Sequence, residues 1–571
     1  MVKAGENVDK ILIKRGSKRA LEQLDPLQVG ELFLAKDEER LYVGGPKGNI
    51  PIPTQQEVDE ITAKIGILNK RAENLVNVKE FGAKGDGITD DTIAIQNAIE
   101  YLKSFGGGIL YFPVGVYIVD SVLKIDFPVK IKGDGAGVSK LKVKDQSTLF
   151  HNPNRTDNPN DLSWPNLYRD YHAVFFFYNT SFSLEDIEID GNAQNQTDVV
   201  DGASWNYVAP NIGDLSRNYY KYFHGIQVKY DDADTLKVTI RNCHIHHFSW
   251  DAIVIGNRNN VVKKSDIKIY NNTLESSSQD ILSVHKVDGV KIYDNILKNP
   301  NTHAIHIYYN VHNVEIYDNK IVLDDDYFNF APNDLDLAKT AIVIAHSDYE
   351  NNYIQNVNIR DNFIRNLSST LMMTGISLAR TISDISIKGN KMEGVYRGII
   401  ISNPTVDGCY IEENKIHFLE AGIIFRPTGS SGSGYRPLTP SVPRPYTSTH
   451  SVKRNNLISL TDNTKNAIDL RIESSVDTSE IAEYNIEFYQ NETNSKISLI
   501  PKDQFSVSHL PTVKTRKNFF PDNILDIDDP ATGLPYGWFG RGNKNQYMTY
   551  QRSQTNLTDV DGVTKPFTVL T

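Results

Sequence analysis

Four short segments carry much of the chain's acid–base chemistry in one repeating frame: HGIQVKY from His224, DAIVIG from Asp251, DILSVH from Asp280 and HAIHIYY from His303. TAIVIAH (Thr340), TGISLAR (Thr374), RGIIIS (Arg397) and AGIIFR (Ala421) continue the series. The third and fifth residues are apolar almost throughout, so they face a core, and the first, fourth and sixth face outward. Stacked as neighbours, the segments set Asp251 beside Asp280, with His224 and His303 at the ends of that row. His285, His306 and Tyr308 fall alongside, and Lys229 shares the sixth position with His285 and Tyr308. In a chain with only 14 His, this is a dense cluster. Two carboxylates about one strand spacing apart repel, so one pKa rises and the other falls. That splitting yields an acid and a base from one residue type, as glycosidic cleavage requires. The expected roles are therefore catalysis by Asp251, Asp280 and His303, with substrate held by His224, Lys229, His285, His306 and Tyr308. No metal and no cofactor is expected, because solenoid spacing is poor ground for placing a divalent ion on Asp251, Asp280 and His303. The competing readings are a ligand-binding face without turnover, and a solvated sheet face on which Asp and His compensate charge.

The element that must position these rows is a repeat. Ile-x-x-Asn-x-(apolar) recurs as IYNNTL (Asn272), IYDNIL (Asn295), IYDNKI (Asn319), IRDNFI (Asn362), IKGNKM (Asn390) and IEENKI (Asn414), with VKRNNL (Asn455) and IDGNAQ (Asn192) as looser copies. The steps from Asn272 onward are 23, 24, 43, 28, 24 and 41 residues. The shortest is one coil, and the longer steps are a coil plus an insertion. A repeat of this length with β-branched, strand-like content is a β-solenoid, in which an Asn at the same turn of every coil can bond its neighbour's carbonyl. Cys243 takes the Asn slot of its coil and Cys409 an inward strand position equivalent to Val290. Both thiols read as small buried hydrophobes too far apart for a disulfide.

Around the solenoid lie three smaller parts. Leu32-Phe33-Leu34 and Leu41-Tyr42-Val43 flank a polar hairpin loop in a β-rich unit, residues 1–53, that also holds Ile11-Leu12-Ile13. Within it, Arg15–Gly45 resembles a module at the N-termini of phage tail fibres and spikes, which implies a virion-attachment end contacting tail or collar proteins. In residues 54–77, Val58, Ile61, Ile65, Leu68, Ala72 and Leu75 form an a/d stripe that one helix cannot bury alone, so a trimeric coiled-coil neck is expected. The stretch GAKGDGITDDTIAIQNAI followed by GGGILYFPVGVY resembles the opening of the pectate-lyase-3-like superfamily. That resemblance implies a right-handed, single-stranded parallel β-helix over residues 78–510. Asp86, Asp90 and Asp91 then act as capping residues, with Asp90 the N-cap of the helix that follows. Periodicity is lost from Pro511, so residues 511–571 are expected to be a separate aromatic-rich unit. Loops with aromatics (Trp164, Tyr168, Tyr171) and acids (Asp324 to Asp336) are placed to wall a groove.

Composition bounds the partners. With 60 basic against 71 acidic residues the net charge is −11, which excludes a nucleic-acid backbone as the main partner. No run of 18 apolar residues exists to span a membrane, and the first residues lack the apolar core of a secretory signal. The expectation is an all-β homotrimer on a virion that binds a host-surface polysaccharide and hydrolyses it. A non-catalytic adhesin and a hydrolase of teichoic-acid phosphodiesters are the alternatives. A lyase is disfavoured because no Arg or Lys base stands beside an acidic Ca²⁺ site.

Overall fold

The computed structural model describes residues 14–23, 27, 31–62, 75–147 and 173–195, then 224–470 apart from 231–234, 249, 258–262, 278–279, 326–338, 346–353, 380–381, 403–405, 427–446 and 462–464, and strand segments from there to 570. The chain divides into two compact units, residues 1–75 and 76–571.

In the first unit the strands Lys14–Gly16, Leu32–Ala35, Arg40–Gly45 and Gly48–Pro51 form one four-stranded sheet. Leu21, Leu27, Phe33, Ala35 and Tyr42 make its small core. The hairpin between Leu32–Ala35 and Arg40–Gly45 is antiparallel, as the polar loop implies. Ile11–Ile13 lies outside the described residues. Residues 55–62 are helical, opened by a reciprocal cap in which Thr54 and Glu57 each bond the other's backbone N–H. Val58 and Ile61 on this helix are exposed, leaving that part of the apolar stripe uncovered within one chain. The remaining seam positions up to Ala72 lie outside the described residues, and Leu75 stands in a strand, Leu75–Asn77, rather than on the helix.

In the second unit alternating Ile and Val residues build coils of three strands each. The coil of Asn295, for instance, runs through Val287–Tyr293, Ile296–Lys298 and His303–Tyr308, and pairs in parallel with the coils before and after it. One face is a sixteen-stranded sheet, and the other two are joined in a twenty-four-stranded one. Val290, Ile292, Leu297, Ile305 and Ile307 fill the interior of that coil. The chemistry-bearing segments are the third strand of each coil. A short second strand (His244–Phe248, Thr273–Ser277, Ile296–Lys298, Lys320–Leu323) separates them from the Asn turn, which the repeat alone did not reveal.

The Asn turns form one buried ladder: Asn272, Asn295, Asn319, Asn362, Asn390, Asn414, Asn455 and Asn491. Each Nδ2 donates to a carbonyl of the preceding coil, as Asn319 does to Ile292 at 2.8 Å. Each Oδ1 accepts the preceding Asn's backbone N–H and Nδ2, as Asn319 does from Asn295 at 3.1 and 3.0 Å. The residue before each rung up to Asn455 takes a left-handed φ, from Asn271 (54°) through Asp294, Asp318, Asp361, Gly389 and Glu413 to Arg454. Asn, Asp and Gly dominate there because they tolerate that conformation best. Cys243 does occupy the slot, its N–H bonded to Asn272 Oδ1 at 2.9 Å. Cys409 pairs in the row of Val290, and both thiols are free, buried and pushed up to about 12 by that burial. Asn192, expected as a loose copy, is no rung: it follows the second-face strand Glu188–Asp190 and bonds Val143 O, while Ile187 sits where the rung would be.

The helix Thr92–Ser104 caps the first coil through Ile95, Ala98, Ile99 and Leu102. Its acids serve backbone amides: Asp86 those of Ile88 and Thr89, Asp90 that of Thr92, and Asp91 those of Lys84 and Gly85. The helix cap itself is Asp91, one residue after the expected Asp90, and Asp90 still binds the first turn. At the other end, Thr512–Arg516 pairs in parallel with Glu483–Tyr489 and is followed by antiparallel strands Tyr547–Tyr550 and Phe567–Leu570. These strands of residues 511–571 thus join the same sheet.

Removing a rung orphans buried groups on two coils, each costing roughly 1–3 kcal/mol. Asn319→Ala is expected to destabilise by about 3 kcal/mol or more in urea denaturation. Cys243→Asn is expected to raise the midpoint, because Cys243 Sγ already approaches Leu184 O and Arg241 O, the carbonyls a rung's Nδ2 would take.

Candidate active site

The third-strand register stacks the proposed row. Ile226 pairs with Ile253, Ile253 with Leu282 and Leu282 with Ile305, so His224, Asp251, Asp280 and His303 are successive rungs, followed by Thr340. Ser283 pairs with His306, and Lys229, Gly256, His285 and Tyr308 form the next row. All eight expected residues thus lie on one face.

The row points away from the hydrophobic core, yet its acids are not solvated. Asp251 is 2% exposed and Asp280 4%, which corrects the picture of a charged sheet face open to water. Side chains of the next coil close over Asp280: His303 Nδ1 lies 2.7 Å from Oδ1 and His306 Nδ1 2.7 Å from Oδ2. Thr302 Oγ1 adds a third donor to Oδ1 at 2.6 Å. Ser283 Oγ sits between the carboxylates, 3.1 Å from Asp251 Oδ2 and 3.2 Å from Asp280 Oδ2. Asp251 Oδ1 accepts the N–H of Asp280 at 3.2 Å. His224 Nδ1 is 3.8 Å from Asp251 Oδ2.

This arrangement assigns the protons. Burial pushes the Asp251 carboxyl well above its usual range, and the charge of Asp280 adds to it. Burial presses Asp280 upward too, but His303 and His306 outweigh it and hold that carboxyl well below the usual range. The Ser283 hydroxyl lies within donating distance of both carboxylates and links them. Burial lowers His306 despite its carboxylate partner, so at neutral pH it is an uncharged imidazole with Nδ1–H fixed on Asp280. Among the described residues the Nε2 atoms of His303 and His306 are unengaged, on rings 26% and 20% exposed. These imidazoles are the accessible chemical groups, and Asp280 lies beneath them.

The flanking row is a stack of rings. His285 lies 4.8 Å from Tyr308 between ring centroids, and Tyr308 lies 4.5 Å from His306. The His285 ring fills the space where a Cβ on residue 256 would stand, so Gly256 is required. Burial pushes His285 well down, so it too is neutral. Thr302 and Ser283 were not foreseen as site residues. Ser283 occupies an outward fourth position, whereas Thr302 precedes its strand and gives no periodic signal.

Asp280, His303 and His306 bring three ligand atoms within 4.8 Å of one another, but the imidazole nitrogens donate hydrogen bonds there. The same proximity occurs in two groups on the second face, Glu188 with His244 and His246, and Asp190 with His246 and His247. Of the expected groove walls, Trp164, Tyr168, Tyr171 and residues 326–336 lie outside the described residues. Asp324 accepts Asn299 Nδ2, and Asp325 accepts the N–H of Ser369, which are structural uses.

The family model described as rhamnogalacturonase A/epimerase, pectate lyase-like, matches residues 75–275, and that of the right-handed beta helix region matches 224–331. The chain is a right-handed parallel β-helix. It is 31% identical over 189 residues to mannuronan C5-epimerase AlgE1 of Azotobacter vinelandii, a match covering 31% of this chain and 12% of that protein's length. Among solved structures it is similar to the catalytic unit of a GH87 alpha-1,3-glucanase from Streptomyces thermodiastaticus (TM-score 0.49, 15% identity, 80% of this chain and 70% of that one). It is also similar to the N-terminal fragment of bacteriophage phi29 gene product 12 (TM-score 0.45, 13% identity, 84% and 76%). Among the described residues no helix is long and apolar enough to cross a membrane.

The two buried acids predict opposite pH dependences. Asp280 titrates below its unfolded value of about 3.9, so its stabilisation is full above that pH and is lost as pH falls through the folded value. Asp251 titrates above about 3.9, so its contribution is full below that pH and is lost as pH rises through the raised value. Urea midpoints measured across pH are expected to show Asp251→Asn flattening the decline on the rising side. Asp280→Asn is expected to flatten the acid side.

Proposed function

We propose that this protein is a phage tail spike or appendage that binds a host-surface glycopolymer and hydrolyses it at the His303–Asp280–His306 cluster. The observation that carries this reading is one buried anion holding two accessible imidazoles by their Nδ1–H groups. His306, uncharged at neutral pH, takes a proton from the attacking water at Nε2. His303, on the other oxygen of the same carboxylate, gives a proton from Nε2 to the departing oxygen when it enters the step as imidazolium, with its Nδ1–H kept on Asp280. Asp280 positions both rings and offsets the charge that develops on them, and Asp251 stays protonated so that two anions are never buried together. The base role thus falls to an imidazole rather than to one of the two carboxylates expected from sequence. Lys229 and His285 line the same face and hold substrate, whereas His224 and Tyr308, also expected to do so, are buried beneath it.

A glycopolymer substrate is supported by the pectate-lyase-like match across 75–275 and by the epimerase relative. The virion setting is supported by the Arg15–Gly45 resemblance and by the uncovered stripe of Val58 and Ile61, which favours a homotrimer. Hydrolysis of a teichoic-acid phosphodiester is the second reading. It is favoured by the accessible groups being imidazoles and Lys229 rather than carboxylates.

The test is incubation of the protein with purified surface polymer from a bacterium it adsorbs to. New reducing ends mark glycoside hydrolysis, and new phosphomonoesters mark the second reading. His306→Gln is expected to lower the rate by roughly 10²–10⁴-fold while leaving polymer binding intact. Its acid limb in the wild type is expected below the ordinary imidazole value of about 6.5. Binding without any new ends would make the protein an adhesin and overturn the catalytic reading.

A further inference from the structure

The second face carries a cluster that the hydrolytic reading does not use. Strand pairing sets Lys140, Glu188 and His244 in one row, and Lys142, Asp190, His246 and Glu275 in the next. His247 breaks the alternation. It has a left-handed φ of 59° and is skipped in the pairing, which resumes at Phe248. In a regular strand His246 and His247 would point to opposite sides. The left-handed backbone at His247 instead turns both rings to one side, where their Nδ1 atoms stand 2.6 Å apart. Asp190 Oδ1 is 3.7 Å from His246 Nδ1 and 3.5 Å from His247 Nδ1. Three atoms at those separations can all lie about 2.1 Å from a single point, the bond length of zinc to imidazole and carboxylate.

The surroundings match what a metal-binding imidazole needs. His246 Nε2 lies 3.2 Å from Glu188 Oε1, so its proton is held on that side and the Nδ1 lone pair faces His247 and Asp190. A carboxylate behind a ligating histidine is the usual orienting partner. Lys140 Nζ lies 2.9 Å from Glu188 Oε1 and 2.7 Å from Asp190 Oδ2, and Asp190 Oδ1, which accepts the N–H of Asn192 at 2.8 Å, has a second lone pair for the cluster. Glu188, Asp190 and His246 are all at least nine-tenths buried.

We infer that Asp190, His246 and His247 form a binding site for a first-row divalent metal ion, with Glu188 orienting His246. Two imidazoles and one carboxylate suit zinc, cobalt or nickel rather than calcium or magnesium. The ion would clip together two adjacent coils whose facing residues, Glu188 and His246, are 58 positions apart in the chain. Its role is structural, and the inference stands independently of the hydrolytic reading.

The experiment uses the full-length protein after dialysis against chelator. Titration with ZnCl2 in a calorimeter is expected to show one ion per chain, and CoCl2 is expected to give visible d–d absorption. His247→Asn keeps a residue that accepts the left-handed φ while removing the imidazole, so the fold is expected to survive and zinc affinity to fall at least 10-fold. Glu188→Gln is expected to weaken binding roughly 10–100-fold. His244→Ala, whose ring pairs with Glu275 instead, is expected to retain the cobalt spectrum. Absence of stoichiometric zinc uptake in the wild type, or an unchanged cobalt spectrum in His247→Asn, would overturn the inference.

Discussion

Every coil of this protein must turn its backbone sharply in the same place without leaving polar groups dry, and the ladder of asparagine side chains does both jobs. Each amide completes the turn of the coil before it, donating to a carbonyl and accepting an N–H that would otherwise be buried unpaired. The left-handed residue before each rung supplies the bend. With the turn fixed, the strand register is fixed as well, because Ile and Val at alternate positions fill the interior and leave no freedom to slip by one residue. The outward rows, and whatever chemistry they carry, inherit their spacing from that turn.

The face that carries the buried acids shows what such spacing makes possible. Two acids in equivalent positions on neighbouring coils would both be charged in water. Here they are buried together and divide the labour, Asp251 keeping its proton and Asp280 its charge. The coil after them completes the arrangement by laying His303, His306 and Thr302 on Asp280. Three consecutive coils thus build one cluster, with Thr302 reaching it from just ahead of its strand.

Much of this was legible in the residues. The Asn steps gave the coil length, and alternation within HAIHIYY and its relatives gave the row of His224, Asp251, Asp280 and His303. Cys243 and Cys409 could be placed in a turn slot and a core row because both positions repeat. What escaped reading has physical reasons. Burial of the acids depends on rings from another coil, which no linear pattern reports. The short second strand has only three to five residues, too few to show a period, so the histidines at 244, 246 and 247 went unnoticed as a group. The strands after Pro511 give no periodic signal because they pair by backbone, which needs no apolar alternation.

The ladder also has a direction. A rung always serves the coil on its N-terminal side: Cys243 is completed by Asn272, Asn272 by Asn295, and so on to Asn491. A ribosome delivers this chain in the same order. Each newly threaded turn can therefore seal the one laid down before it, and the growing end is the single place where satisfaction is pending. Winding from the opposite end would leave every nascent turn waiting on a partner that had already been passed, so vectorial synthesis and the polarity of the amides favour the same route to the finished spiral.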